Sequence, residues 1–96
     1  MKKIIYKYEI NQNGRTELEG PFIKPLDIQF QGDRAVVWIE LKDMRLWELH
    51  PEEMRKYVFT AIGTGWPYTD DVKGEYFKTV QDACGFVWHV FFQEVK

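Results

Sequence analysis

LDIQFQGDRAVVWIEL, residues 26–41, is the stretch that decides the fold. Leu26, Ile28 and Phe30 alternate with Asp27, Gln29 and Gln31. That period of two suits an extended chain with one apolar face. Gly32-Asp33 then supplies a two-residue turn of the Gly-first type. Beyond it, Ala35, Val37, Ile39 and Leu41 fall on one face, with Val36, Trp38 and Glu40 on the other. The β-branched content favours strand over helix. The stretch predicts an antiparallel hairpin.

Working outward toward the start, Ile4, Tyr6, Tyr8 and Ile10 share a face opposite Ile5, Lys7 and Glu9. A strand is predicted there. Asn13-Gly14 follows, a pair that readily adopts the positive φ angles of a tight turn. Residues 15–19 are predicted to return as a short second strand, and Gly20-Pro21 punctuates the chain.

Toward the end, Met44, Leu46, Trp47, Leu49 and Met54 fit neither period cleanly. Pro51-Glu52-Glu53 has the form of a first helical turn, with Pro at its start and acids near the positive dipole end. Two readings stay open: a helix of one or two turns over about residues 51–56, or a loop running into a strand. Residues 57–62 read as a strand. Gly63-Thr64-Gly65-Trp66-Pro67 must be a loop, because its glycines and proline break any ladder. Residues 75–81 read as a strand, and Asp82-Ala83-Cys84-Gly85 as a turn. Residues 86–92 are almost continuously apolar. Such a strand is covered on both faces, at a sheet's centre or in a contact between chains. The fold class is mainly β: about five to seven antiparallel strands curled into a small sandwich or partial barrel, with at most one short helix. Residues 1–96 are expected to form a single domain.

Composition narrows the function classes. A chain of 96 residues buries a limited share of its surface, so its large rings, 17% of the residues, matter for packing. A net charge of -2 has the wrong sign for a general nucleic-acid binder. Lys2, Lys3 and Lys7 read as a solvated strand face. Cys84 is the single cysteine, which rules out an intrachain disulfide and a thiolate metal site within one chain, and agrees with a reducing compartment. The start resembles a signal peptide for three residues, but Tyr6, Lys7, Tyr8 and Glu9 break the apolar run. No stretch approaches the roughly 20 apolar residues that span a bilayer. A cytoplasmic protein without a membrane partner is expected.

The loop Gly63-Thr64-Gly65-Trp66-Pro67-Tyr68 is the best candidate site. Glycines let backbone approach a ligand and present N–H groups to an anion. Thr64 adds a hydroxyl, and Trp66 and Tyr68 can stack on a flat group. The competing reading is a shaped turn whose aromatics fold onto the core. The following Lys-Ser/Thr of a phosphate-binding loop is missing, as is a helix start. His89 shares a face with Val87 and Phe91; it is either a ligand contact or a histidine satisfied by one hydrogen bond. His50, Glu52 and Glu53 have the wrong spacing for a metal pair, and Asp70-Asp71 reads as a solvated doublet. Cys84 and His89 stand too far apart along one strand to form a nucleophile–base pair. Trp38, Trp47, Trp66 and Trp88 exceed what a small core requires, which points to a ligand wall, an interface or a core of big rings. The expected ligand-binding set is Gly63, Thr64, Gly65, Trp66, Tyr68 and His89, with no catalytic residue, metal or cofactor.

Four groups of segments in order resemble a family of small, uncharacterised proteins found mostly in bacteriophages and prophages. They are Ile5-Tyr6-Lys7-Tyr8-Glu9-Ile10; Val37-Trp38-Ile39-Glu40-Leu41; Phe59-Thr60-Ala61-Ile62-Gly63-Thr64-Gly65-Trp66-Pro67-Tyr68; and Tyr76-Phe77-Lys78-Thr79 with Val87-Trp88-His89-Val90-Phe91-Phe92. The family's Gly-Thr-Gly is often followed by His-Pro; here Trp66 takes the histidine's place. The resemblance implies a phage accessory protein in the host bacterial cytoplasm. The leading expectation is a non-enzymatic binder that sequesters a small, nucleotide-like ligand of host defence. A homo-oligomer with pockets between chains is compatible with it. The alternative is an inhibitor or adaptor acting on a bacterial host protein. A hydrolase-like enzyme using His89 or Asp70 with a metal ranks last.

Overall fold

Apolar residues on alternate positions need a second layer to cover them, and the chain supplies it by dividing its strands between two sheets. The computed structural model describes residues 2–45 and 48–95. Its strands are β1 (Lys3–Ile10), β2 (Arg15–Gly20), β3 (Phe22–Gln31), β4 (Arg34–Lys42), β5 (Arg55–Gly63), β6 (Glu75–Gln81) and β7 (Val87–Val95). One sheet runs β1-β4-β3 and the other β2-β5-β7-β6, all pairs antiparallel. The sheets face each other as a sandwich and do not close into a barrel.

The central hairpin forms as its sequence predicts. Gln31 pairs with Arg34 across Gly32-Asp33. Gly32 has φ +64° while Asp33 does not enter the positive region, the pattern of a II′ turn. Asn13-Gly14 behaves differently from expectation: neither residue takes a positive φ. The reason is topological. β1 and β2 lie in different sheets, so no ladder joins them and no hairpin turn is needed. The crossing is held instead by Asn11, whose N–H donates to Thr16 Oγ1 at 2.8 Å and whose Nδ2 donates to Arg15 O at 3.1 Å. Gly14 O accepts from Ala61 N–H at 2.9 Å, which ties the crossing to β5.

Ala35, Val37, Ile39 and Leu41 are all buried between the sheets, as alternation requires. β3 departs from simple alternation. Register shifts between Phe22 and Lys24 and between Pro25 and Asp27 set two β3 residues against one β4 residue each time. Phase changes at each bulge, so Phe22 and Ile28 are buried while Leu26 is turned outward, contrary to its sequence assignment. Bulges and Pro25 are tolerated because β3 is an edge strand.

The core is dominated by rings. Phe22 stacks on Tyr57 with centroids 4.6 Å apart, and Phe92 meets Tyr57 edge-on at 4.8 Å. Phe59 and Phe77 extend the cluster. Just before β5 the chain makes a 3-10 turn, Pro51–Glu53, and then runs straight into the strand. Lys42 donates to Glu53 there, and this bond holds the Glu53 carboxyl below its usual pKa, against the opposing effect of desolvation. Leu46 and Trp47 lie outside the described residues. Among those described, no helix is long and apolar enough to cross a membrane.

β7 takes the central position expected of its apolar run, between β5 and β6. Trp88 and Val90 face the core and are buried. The opposite face, Val87, His89 and Phe91, is half-buried rather than fully covered. That face carries the candidate site.

Candidate functional site

The register of three strands builds the floor. Ile62 of β5 and Thr79 of β6 both lie opposite His89 of β7. In the next row, Thr60 and Tyr76 lie opposite Phe91. At the end of β5 the chain turns sharply, with Trp66 N–H donating to Gly63 O at 3.0 Å. Thr64 N–H donates to Val87 O at 3.1 Å and keeps the turn beside β7. The result is a hollow of about 300 Å³ on the outer face. Gly63, Thr64, Gly65, Trp66, Tyr68 and His89 all line it. Ile62, Tyr76 and Phe91 complete the lining.

His89 sits between two hydroxyls. Its Nε2 lies 2.8 Å from Thr64 Oγ1 and its Nδ1 lies 3.1 Å from Thr79 Oγ1. Thr79 Oγ1 in turn lies 2.6 Å from the Tyr76 hydroxyl. Phe91 forms the apolar part of the floor, with Tyr68 at 5.7 Å and Tyr76 edge-on at 6.2 Å between centroids. The reading of His89 as a histidine satisfied by one bond therefore gives way to one with both nitrogens engaged.

A second, more apolar slot of about 210 Å³ adjoins the hollow, lined by Gly63, Thr64, Trp66, Phe86, Val87 and Trp88. Trp66 borders both spaces. Its indole lies over Gly63, where a Cβ would come within 2.9 Å of Cε2, so only glycine permits this approach. Trp88 is fixed from below: its Nε1 donates to Asp82 Oδ2 at 3.1 Å. Asp82 Oδ1 accepts from Cys84 N–H and Phe86 N–H at 3.0 and 2.9 Å, closing the β6–β7 turn. Desolvation pushes the Asp82 carboxyl pKa up, but these hydrogen bonds together outweigh it and leave the group below its usual value.

The aromatics of the loop do not fold onto the core. Trp66, Tyr68, Tyr76 and Phe86 are 51%, 56%, 58% and 66% exposed and gather around the two spaces. Exposed apolar clusters rimmed by polar groups are a feature of interaction surfaces, which makes this one the candidate site. The lining of the hollow contains no Lys, Arg, Asp or Glu. The loop amides of Thr64 and Trp66 are already committed within the protein. In the structure the glycine loop turns the chain and positions side chains around the hollow.

Other candidates stay apart from this site. Asp70 and Asp71 are exposed. Among the described residues no three of His, Cys, Asp and Glu stand close enough to hold a metal ion. Cys84 is exposed in the β6–β7 turn. Another hollow, about 500 Å³, is lined by Lys2, Lys42, Asp43, Glu48 and Glu53 among others, side chains of mixed charge around the Lys42–Glu53 pair.

Sequence reasoning left Ile62, Tyr76, Thr79 and Phe91 out of the site. Tyr76 and Thr79 are three apart and so belong to opposite faces of a regular strand. A register shift between Tyr76 and Lys78 makes Phe77 the extra residue and brings both onto the face of His89. No local signal in the sequence marks that bulge.

The chain belongs to the family described as Domain of unknown function (DUF7352), whose model matches residues 1–96. No curated protein matches the chain, and no solved structure does.

Proposed function

We propose that the hollow binds a flat, uncharged ring with a hydrogen-bonding edge, of nucleobase type, and that the protein is a non-enzymatic binder. The observation that carries this reading is the combination, in one concavity, of exposed rings with a His89–threonine floor and a lining without Lys, Arg, Asp or Glu. Aromatic faces stack on any base, while hydroxyls of the lining read its edge. A lining without cations does not neutralise phosphates, so any phosphate of the ligand lies outside the hollow, in solvent. Binding is favoured over catalysis because both imidazole nitrogens are taken by threonine hydroxyls, and no carboxylate among the described residues is hydrogen-bonded to the ring.

The sequence resemblance to bacteriophage and prophage proteins supports the wider role. The protein is an accessory factor in the host bacterial cytoplasm that withdraws a nucleotide-like signal of host defence. The hollow is open to solvent, and a second copy of the chain can complete its wall.

Isothermal titration of a nucleoside and nucleotide panel tests the proposal. Wild-type protein is expected to give saturable heat with at least one member. Trp66→Ala is expected to bind it about tenfold more weakly, since stacking on one base is worth about 1–3 kcal/mol. No heat from any member of the panel would sink the reading. The exposed ring of Phe86 favours one alternative, an inhibitor or adaptor docking on a bacterial host protein. A stoichiometric host protein retained from nucleotide-depleted lysate would support that alternative.

A further inference from the structure

Four hydrogen bonds run in series under the hollow, and its one fixed acceptor, the Val87 carbonyl, taken with a neutral imidazole, gives them a single direction. Thr64 Oγ1 lies 3.3 Å from Val87 O, and a carbonyl can only accept. With the Thr64 proton directed to that carbonyl, Thr64 Oγ1 offers His89 a lone pair. His89 Nε2 then carries the proton in the 2.8 Å contact. In the neutral imidazole this leaves Nδ1 as an acceptor, and Thr79 donates to it at 3.1 Å. Thr79 has no second proton, so the Tyr76 hydroxyl is the donor in the 2.6 Å contact.

From this relay we infer that Tyr76 shows the hollow only acceptor lone pairs, so that the site selects a flat ring carrying an amino donor and discriminates against the same ring without one. The selection is specific to this relay. Reversing the His89 tautomer would turn the Thr79 hydroxyl toward Tyr76 and free the Tyr76 proton to donate outward. Thr64 thus acts as a positioning residue for the edge that Tyr76 reads: its bond to the main chain of β7 sets the tautomer. This inference rests on the binding reading above.

Two measurements test it. The first compares adenosine with purine riboside, which keeps the purine ring and ribose and lacks the amino group. Wild-type protein is expected to prefer adenosine about five- to tenfold, the range of one net hydrogen bond. In Tyr76→Phe the ratio is expected to collapse toward one. Equal binding of the two nucleosides to wild type, or a preference that survives in Tyr76→Phe, overturns the inference while leaving the binding reading intact. Failure of both nucleosides to bind overturns the selection together with that reading. The second measurement needs no ligand. A long-range ¹H–¹⁵N spectrum of the imidazole is expected to show the Nε2–H tautomer in wild type and a loss of that single tautomer in Thr64→Val. An Nδ1–H pattern in the wild-type protein overturns the relay.

Discussion

The indole of Trp66 stands edge-on to that of Trp88, with ring centroids 5.1 Å apart and planes at 85°. Gly63 lies under the Trp66 ring and leaves no room for a Cβ. Trp66 is more than half exposed, so a methyl group at position 63 moves the ring outward rather than straining the core. Gly63→Ala is therefore expected to keep stability within about 1 kcal/mol, since alanine also costs less entropy in a strand than glycine. The same change is expected to alter tryptophan fluorescence and weaken ligand binding. A variant with wild-type emission and affinity would show that the contact does not shape the site.

Leu26 and Ile28 have the same parity in sequence, yet the bulge after Pro25 separates their fates. Ile28 is 0% exposed and Leu26 39%. Ile28→Ala is expected to cost about 2–5 kcal/mol, the transfer loss plus a cavity. Leu26→Ala is expected to cost about 1 kcal/mol or less. Urea unfolding of the two variants side by side checks this. Equal losses would mean that the bulge is absent in solution.

Such residues show what the sequence makes legible. Alternation in β4 and the Gly32-Asp33 turn are local, and local chemistry determines them. Sheet membership is not local. Nothing in residues 3–20 says that β1 and β2 enter different sheets, because each offers the same half-apolar face to either partner. The six loop and strand residues chosen from sequence do meet in one hollow, since glycines and rings next to a loop carry local signals. Thr79 and Tyr76 carry none. Their place beside His89 depends on a bulge and on pairing across strands.

Tyr57 predicts an alkaline limit to stability. Burial among Phe22, Phe59 and Phe92, helped by the charge of Glu94, pushes its pKa up to about 12. An unfolded tyrosine titrates near pH 10. Between those values the folded state holds a proton that the unfolded state has lost. Stability is therefore intact below about pH 10 and falls as pH rises through the folded pKa, by about 2–3 kcal/mol. Denaturant midpoints from pH 8 to 12 are expected to fall in wild type and to fall less in Tyr57→Phe, which keeps the ring. Matching curves would show that another group sets the limit.

Lys78 and Asp27 join the two sheets where both have an edge strand. Lys78 Nζ donates to Asp27 Oδ1 at 2.5 Å, from β6 to β3. The hydrogen bond from Lys78 is the main cause that holds the Asp27 carboxyl below its usual pKa, with desolvation opposing it and Gln29 and the Ile28 N–H assisting. With a depressed folded pKa, the stabilisation is present above the unfolded value near pH 4 and is lost as pH falls through the folded value. Both side chains keep more than a third of their exposure, so screening limits the pair to about 1 kcal/mol or less. The larger effect concerns association. An ion-paired lysine on an edge strand hinders pairing with another chain, and methionine removes that charge without shortening the side chain. Lys78→Met is expected to unfold within about 1 kcal/mol of wild type at neutral pH, to lose less stability on acidification, and to scatter more light as concentration rises. A variant that stays as dispersed as wild type at every concentration would show that the bulge in β6 protects this edge without the charge.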